Sequence, residues 1–441
     1  MSEGPARVAL AQGRLRPSSI SRPVLAAWPW LAVLALAILI PWLFFDWSRG
    51  RHDGFVVALL TQIAMMSIFA LSYNMLMGEA GLLSFGHAIF LGLPAYVTVH
   101  LMNVIGGGHL WIPEELLPAV GGLSGLLFGI LFGYPVSKQR ATAFAMITFG
   151  GGELIVSAAV MFQGFFGGEG GVTGNRVLNT SLFGLSYASP IQVYYLALAW
   201  AAISAALMRL LTQTPLGRMA NACRDNYERA QFVGYDPRWV RLWQFALSSC
   251  FAGVAGALYA IVYEIVTYDS LSAVMSGNAL FMTLIGGARV FWGPIAGAVA
   301  VTLLQSWVSL ISNAWQIYVG ALFIVMVMYA PSGLAGLVLM HGPLWRAGRM
   351  RRLLMPYARV ALPSLVALAG FAGLVELWSF VTIGEHVGKA LHLFGRTLDP
   401  GAAWPWGAAG ALLLLGGSIA RWQGRAFAMR WAAIMADLKP G

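Results

Sequence analysis

The sequence predicts an all-α fold: a polytopic helical membrane protein with about ten spans and broken helices, followed by two extra C-terminal spans. Three observations carry this. Hydrophobic residues fill 59% of the 441 positions and charged residues only 10%, against about 25% charged in soluble proteins. Apolar runs of about 20 residues, the length that crosses a bilayer as a helix, recur along the chain. Glycine, at 52 residues, is as abundant as it is where membrane helices pack closely.

The elements follow in order. Arg7, Arg14, Arg16 and Arg22 precede the apolar run 24–45. That run is too long for a signal-peptide core and lacks a convincing cleavage site after it, so it reads as an uncleaved first span behind a basic tail, 1–23. Further runs fall near 54–78, 86–105, 116–136, 141–163, 190–211, 239–264, 273–289, 294–312 and 314–331, then 358–382 and 402–420. Charge tests the count, because inner loops are enriched in Lys and Arg. Four crossings put Lys138 and Arg140 inside, and six put Arg209, Arg218, Arg224, Arg229, Arg238 and Arg241 there. Eight bring Arg289 inside, ten bring Arg346, Arg349, Arg351 and Arg352, and twelve bring Arg421, Arg425 and Arg430. Arg49 and Arg51 dissent, outside by this count but flanked by Asp46 and Asp53. Both termini are therefore expected inside.

Other function classes fit poorly. The net charge of +10 comes from arginines in short loops, which suits topology and anionic lipid rather than nucleic acid. The basic, aromatic end "RWQGRAFAMRWAA" (Arg421–Ala433) suits a membrane interface. Cys223 lies in a charged segment and Cys250 in an apolar run, so no disulfide is expected, and no zinc or redox spacing exists. There is no Ser-His-Asp order, carboxylate pair or metal-ligand cluster to suggest an enzyme, and no phosphate loop.

Three spans are interrupted. "GEAGLLSFGHAIF" (Gly78–Phe90), "TFGGGELIV" (Thr148–Val156) and "LIGGARVFWGPIAG" (Leu284–Gly297) place glycines where helices should run. Such breaks free backbone groups that protein or a water-filled cavity must satisfy. Glu153, inside the fifth span, either lines a pathway or braces the broken helix; an intramembrane carboxylate is a functional-site hypothesis. Ser84 and His87 after the first break, and Asn278 in the short eighth span, are pathway candidates against a packing role. Glu264 and Asp269, near the outer end of the seventh span, are expected to be solvated or to meet an external protein.

The charged stretch "TPLGRMANACRDNYERAQFVGYDPRW" (Thr214–Trp239) stands apart. Thr214-Pro215 is a cap and first-turn pair, Gly234 a stop, and Asp236-Pro237 a second start. Leu216, Met219, Ala220, Cys223, Tyr227 and Ala230 recur at helical steps, leaving Arg218, Arg224, Asp225, Glu228 and Arg229 on the other face. One short, rigid helix on the inner side is predicted. It either lies on lipid, as basic amphipathic helices do, or docks against a protein. The mixed charge favours the latter.

"GRMANACRDNYERAQFVGYD" resembles the cytoplasmic loop of permease subunits of ABC importers, especially the branched-chain (hydrophobic) amino acid type. "GEAGLLSFGHAIFLGLPAYV", "TFGGGELI", "ALSSCFAGVAGALYA" and "LIGGARVFWGPIAGA" match the same family in order, over about 54–338. The resemblance implies a ten-span permease core, 24–341, with an ATPase-coupling helix at 214–234, and leaves a C-terminal extension, 342–441. It implies ATPase docking by Arg218, Arg224, Asp225, Asn226, Glu228 and Gly234. It also implies a second permease, two cytoplasmic ATPases that use ATP and Mg, and a periplasmic solute-binding protein, in a bacterial inner membrane. This chain itself would bind no cofactor. The glycine-rich "FFGGEGGVTGN" (Phe165–Asn175) resembles the family's external loop, which could face the binding protein or be a flexible surface loop. Asn221, Cys223, Tyr227 and Gln231 depart from the usual pattern. The cargo implied is a branched-chain or other hydrophobic amino acid, or a related small polar solute. An ion- or proton-coupled secondary transporter, with Glu153 titrating, is the alternative.

Overall fold

The computed structural model describes residues 22–46, 51–139, 141–178, 181–182, 184–232, 234, 236–310, 312–346, 348, 351–383, 391–393, 396–399 and 401–436. The tail 1–21 and Arg49, Arg140 and Arg349 lie outside them. The chain divides into two compact units, Met1–Asp53 and Gly54–Gly441. In the first unit α1 (Arg22–Leu43) leads into an antiparallel ribbon of β1 (Phe45–Asp46) and β2 (Arg51–His52). The His52 ring sits edge-on to Trp42 and Phe45, and its Nδ1 lies 3.0 Å from the Pro41 carbonyl.

The second unit is helical. It opens with α2 (Gly54–Asn74), α3 (Ile89–Gly106), α4 (Leu117–Val136), α5 (Ala141–Met161) and the single turn α6 (Gln163–Phe166). Then come α7 (Pro190–Gln213), α8 (Pro215–Asp225), α9 (Tyr227–Phe232) and α10 (Pro237–Tyr263). The rest are α11 (Ala273–Gly286), α12 (Gly293–Val308), α13 (Trp315–Tyr329), α14 (Gly333–Arg346), α15 (Arg351–Ile383) and α16 (Ala403–Ala436). Two short ribbons complete it, β3 (Val172–Thr173) with β4 (Ile265–Val266), and β5 (Leu391–Leu393) with β6 (Arg396–Leu398).

Every apolar run expected to span contains a helix among the described residues, but not every such helix is long enough to span alone. Among the described residues eight helices are long and apolar enough to cross a bilayer, and α13 with α14 is a further candidate bent by 44°. With 14 and 16 residues, α11 and α12 reach only about 21 and 24 Å at roughly 1.5 Å per residue. That is short of a hydrocarbon core of about 30 Å. Glycine at their junction explains the shortening: Gly287, at φ +110°, ends α11 in a turn that a residue with a Cβ resists.

The core is built around α10, which packs on α4, α3 and α2. Close approach of backbones drives this, as is usual where lipid removes the hydrophobic incentive between helices. Gly121 and Gly125 of α4 face Gly253 and Ser249 of α10, and a Cβ on Gly253 would strike the Gly121 carbonyl. Aromatic rings fill the rest: Phe90 and Phe144 meet Phe245 edge to face at 4.9 and 5.6 Å. The C-terminal α15 and α16 pack on each other. They join the core through Tyr318, whose hydroxyl donates to Glu376 Oε1 at 2.7 Å, and through His341, which hydrogen-bonds Tyr357 and stacks edge-on to Trp431.

Candidate functional site

The α2 helix does not end cleanly. After Asn74 it widens into a π-helical turn, Met75–Glu79, and then leaves the helix at Gly81. Widening frees carbonyls, and side chains from neighbouring helices satisfy them. Gln244 donates to the Met75 carbonyl at 2.8 Å, Ser248 to Ser72 at 2.6 Å and Thr283 to Ala70 at 3.1 Å. Ser84 and His87 lie in the same brace. Tyr73 donates to the Ser84 carbonyl at 3.0 Å, and His87 Nε2 lies 3.1 Å from Ser72 Oγ with its ring stacked on Phe69. Both residues are fully buried.

The first and third glycine breaks meet. A Cβ on Gly78 would run into the carbonyl of Ala288, in the turn between α11 and α12. In that turn, Gly287 is pressed against the backbone of Ser332 and Gly333, where α13 bends into α14. Arg209, at the end of α7, closes the same region with its guanidinium 5.4 Å from the Phe291 ring.

The charged stretch lies against this region. Thr214 caps α8 by accepting from the Gly217 N–H at 3.4 Å, and Asp236 caps α10 by accepting from Arg238 at 2.9 Å, both as predicted. Ala220, Cys223 and Ala230 face inward, and Leu216, Met219 and Tyr227 are half-buried. The single helix expected over 214–234 is two. Asn226 adopts φ −157° and ψ 103°, so α8 stops and α9 restarts at an angle. Asn is prone to leave helices because its side chain competes for backbone partners. The corner is held from α10, where Arg241 lies 4.7 Å over the Tyr227 ring and donates to the Gln139 carbonyl at 3.0 Å. Tyr227, an oddity in the sequence, is thus an internal brace.

The docking candidates point two ways. Arg218, Asp225, Asn226, Glu228 and Gly234 are exposed. Arg224 is exposed too, but it turns back: it donates to the Gly78 carbonyl, its stem packs beside Gly81, and it pairs with Asp225 at 3.0 Å. Beside it Asn221 donates to Glu79. Sequence reasoning missed Phe232, which ends α9 with 90% of its side chain exposed. An aromatic followed by a glycine stop was the available signal.

Glu153 lies apart from all of this, and the break expected around it is absent: α5 runs as one helix through Gly150, Gly151 and Gly152. It is exposed near the middle of α5, on a face shared with Met146, Gly150 and Ser157, while Phe144, Thr148, Gly152 and Ala159 bury the opposite face. Asn278 is half-buried and accepts from Gln305 at 3.2 Å. At the opposite end of the bundle Glu264 is not simply solvated. It adopts φ +54°, accepts from the Arg176 N–H at 3.0 Å and pairs with the guanidinium at 3.7 Å. Arg176, only 14% exposed, also donates to Tyr187, Ile261 and Val262 carbonyls. Glu115 accepts from Ser181 and Tyr187 hydroxyls at 2.5 and 3.0 Å. Burial, and then the hydrogen bond to Glu115, push the Tyr187 phenol up. The glycine-rich loop is pinned here, not loose: His100 Nε2 lies 2.7 Å from Phe165 O, and Asn103 donates to Thr173 at 2.9 Å. Among the described residues no group of acidic, His and Cys side chains could hold a metal ion.

The model of the branched-chain amino acid transport system permease component matches residues 55–330. The high-affinity branched-chain amino acid transport system permease protein LivM of Escherichia coli is 28% identical over 327 residues, covering 69% of this chain and 73% of that one. LivM of Salmonella typhimurium is 27% identical over the same length. The ribose import permease protein RbsC of Haemophilus influenzae is 24% identical over 292 residues, 62% of this chain and 84% of its own. No solved structure matches. The chain belongs to the family of branched-chain amino acid transport permease components.

Proposed function

We propose that this chain forms half of the pathway of an ATP-driven importer. It would lie in a bacterial inner membrane with both termini in the cytoplasm. A second permease would complete the pathway, two ATPases using ATP and Mg would drive it, and a periplasmic binding protein would deliver the cargo. That cargo is a branched-chain or other hydrophobic amino acid, or a related small polar solute. The observation that carries the reading is the seated α8–α9 element, which turns Arg218, Glu228 and Phe232 outward while its apolar face is buried. A lipid-bound helix would do the reverse, burying its apolar face in the membrane.

Glu153 fits the same reading. A carboxylate facing hydrocarbon in mid-span is costly by about 2.5 kcal/mol or more. Its exposed face on α5 therefore suits a water-filled seam shared with the second permease. Asn278 belongs to the wall behind it, and Ser84 and His87 to the frame. Membrane vesicles loaded with ATP should import labelled leucine without a proton gradient, and Glu153→Leu should cut that import at least tenfold. Uptake that follows the proton gradient and ignores ATP would point instead to a secondary transporter.

A further inference from the structure

We infer that Arg224 and Asn221 are positioning residues that key the coupling element to a junction of broken helices, and that docking to the ATPase falls to Arg218, Glu228 and Phe232. This rests on the importer reading above.

Three observations converge. First, α8 grips the break of α2 and not merely its surface: Arg224 donates to the Gly78 carbonyl and Asn221 to Glu79, both within or beside the π-helical turn. Second, this turn is the one place where α2 has surrendered regular hydrogen bonds, so a guanidinium there replaces a missing intrahelical donor. Third, the turn is contiguous with the other breaks. Gly78 abuts Ala288, and Gly287 abuts Ser332 and Gly333, so four helical segments (α2, α11, α12 and the α13–α14 bend) meet by backbone contact. A displacement of α8 has a direct route into the helices that are already discontinuous. Broken helices can rotate at their interruptions, whereas the glycine-packed pair α4 and α10 resists sliding. Arg224 keeps part of its side chain exposed, but its guanidinium is already engaged within its own chain by the Gly78 carbonyl and Asp225.

The test uses the full chain, tagged and purified from its native membrane with its partners. Arg224→Met with Asn221→Leu should retain the ATPase at wild-type stoichiometry and still hydrolyse ATP, while the ATP spent per labelled leucine imported rises more than tenfold. Phe232→Ala with Arg218→Glu should instead lose the ATPase. Arg224→Lys should restore part of the coupling. A structural defect alone would lower hydrolysis and uptake together. A second readout needs no partner: in a Cys250→Ala background, maleimide labelling of buried Cys223 should accelerate at least fivefold when Arg224 and Asn221 are both replaced. Loss of the ATPase from the Arg224 and Asn221 variant, or Cys223 labelling at the wild-type rate, overturns the inference. If the wild type retains no ATPase, the importer reading fails, and the Cys223 rate still decides whether α8 is keyed.

Discussion

Cys223 shows how a single side chain reports on the element around it. It is 6% exposed, on the inward face of α8. Burial pushes its thiol up, and the nearby Arg241 offsets only part of this. A raised pKa keeps the thiol protonated at neutral pH, and the thiolate is the reactive form. With Cys250 replaced by Ala, maleimide should therefore label Cys223 slowly at pH 7. The rate should rise with pH and level off only above the ordinary thiol value of about 8.5; fast labelling at pH 7 would mean α8 is not seated. The inward place of Cys223 was readable from its three- and four-residue spacing. The pairings of Arg176 and Arg224 were not: Arg176 finds Glu264 88 positions away, and Arg224 finds Gly78 146 positions away. Periodicity sees one helix at a time, and it gives such arginines only a face.

At the scale of elements, glycine carries two separate roles. Gly253 lies where α10 touches α4, and Gly320 lies on α13 with nothing near the position of its missing Cβ. Gly253→Ala should lower stability by roughly 1–3 kcal/mol, the usual cost of forcing a packed contact apart. Gly320→Ala should be neutral or stabilising by up to about 1 kcal/mol, because alanine favours helix. Thermal unfolding in detergent separates the two; equal effects would contradict the close α4–α10 approach. The caps at Thr214 and Asp236 and the breaks at Gly81 and Gly287 were legible in sequence, because each depends on local chemistry. The corner at Asn226 was not, since the apolar spacing continues through it to Ala230 and the Tyr227–Arg241 contact at the corner joins separate helices.

For the whole molecule, the family match stops at residue 330, and the core packing of α2, α3, α4 and α10 lies within it. Among the described residues the extension meets the preceding helices through Tyr318, against Glu376 and Phe371, and through His341, against Tyr357 and Trp431. A chain ending at Arg346 should still give a monodisperse gel-filtration peak. Its stability should fall by about 1–3 kcal/mol, on the order of 1 kcal/mol for each hydrogen bond lost. An aggregated product would make the extension part of the core. The junction of interrupted helices has a consequence for descent with modification. Its contacts are made by glycine backbones, which carry no chemistry that could prefer one solute over another. A change of cargo would then fall to side chains elsewhere in the chain. Mutations at Gly78, Gly287 or Gly333 should appear as dead alleles, never as altered selectivity.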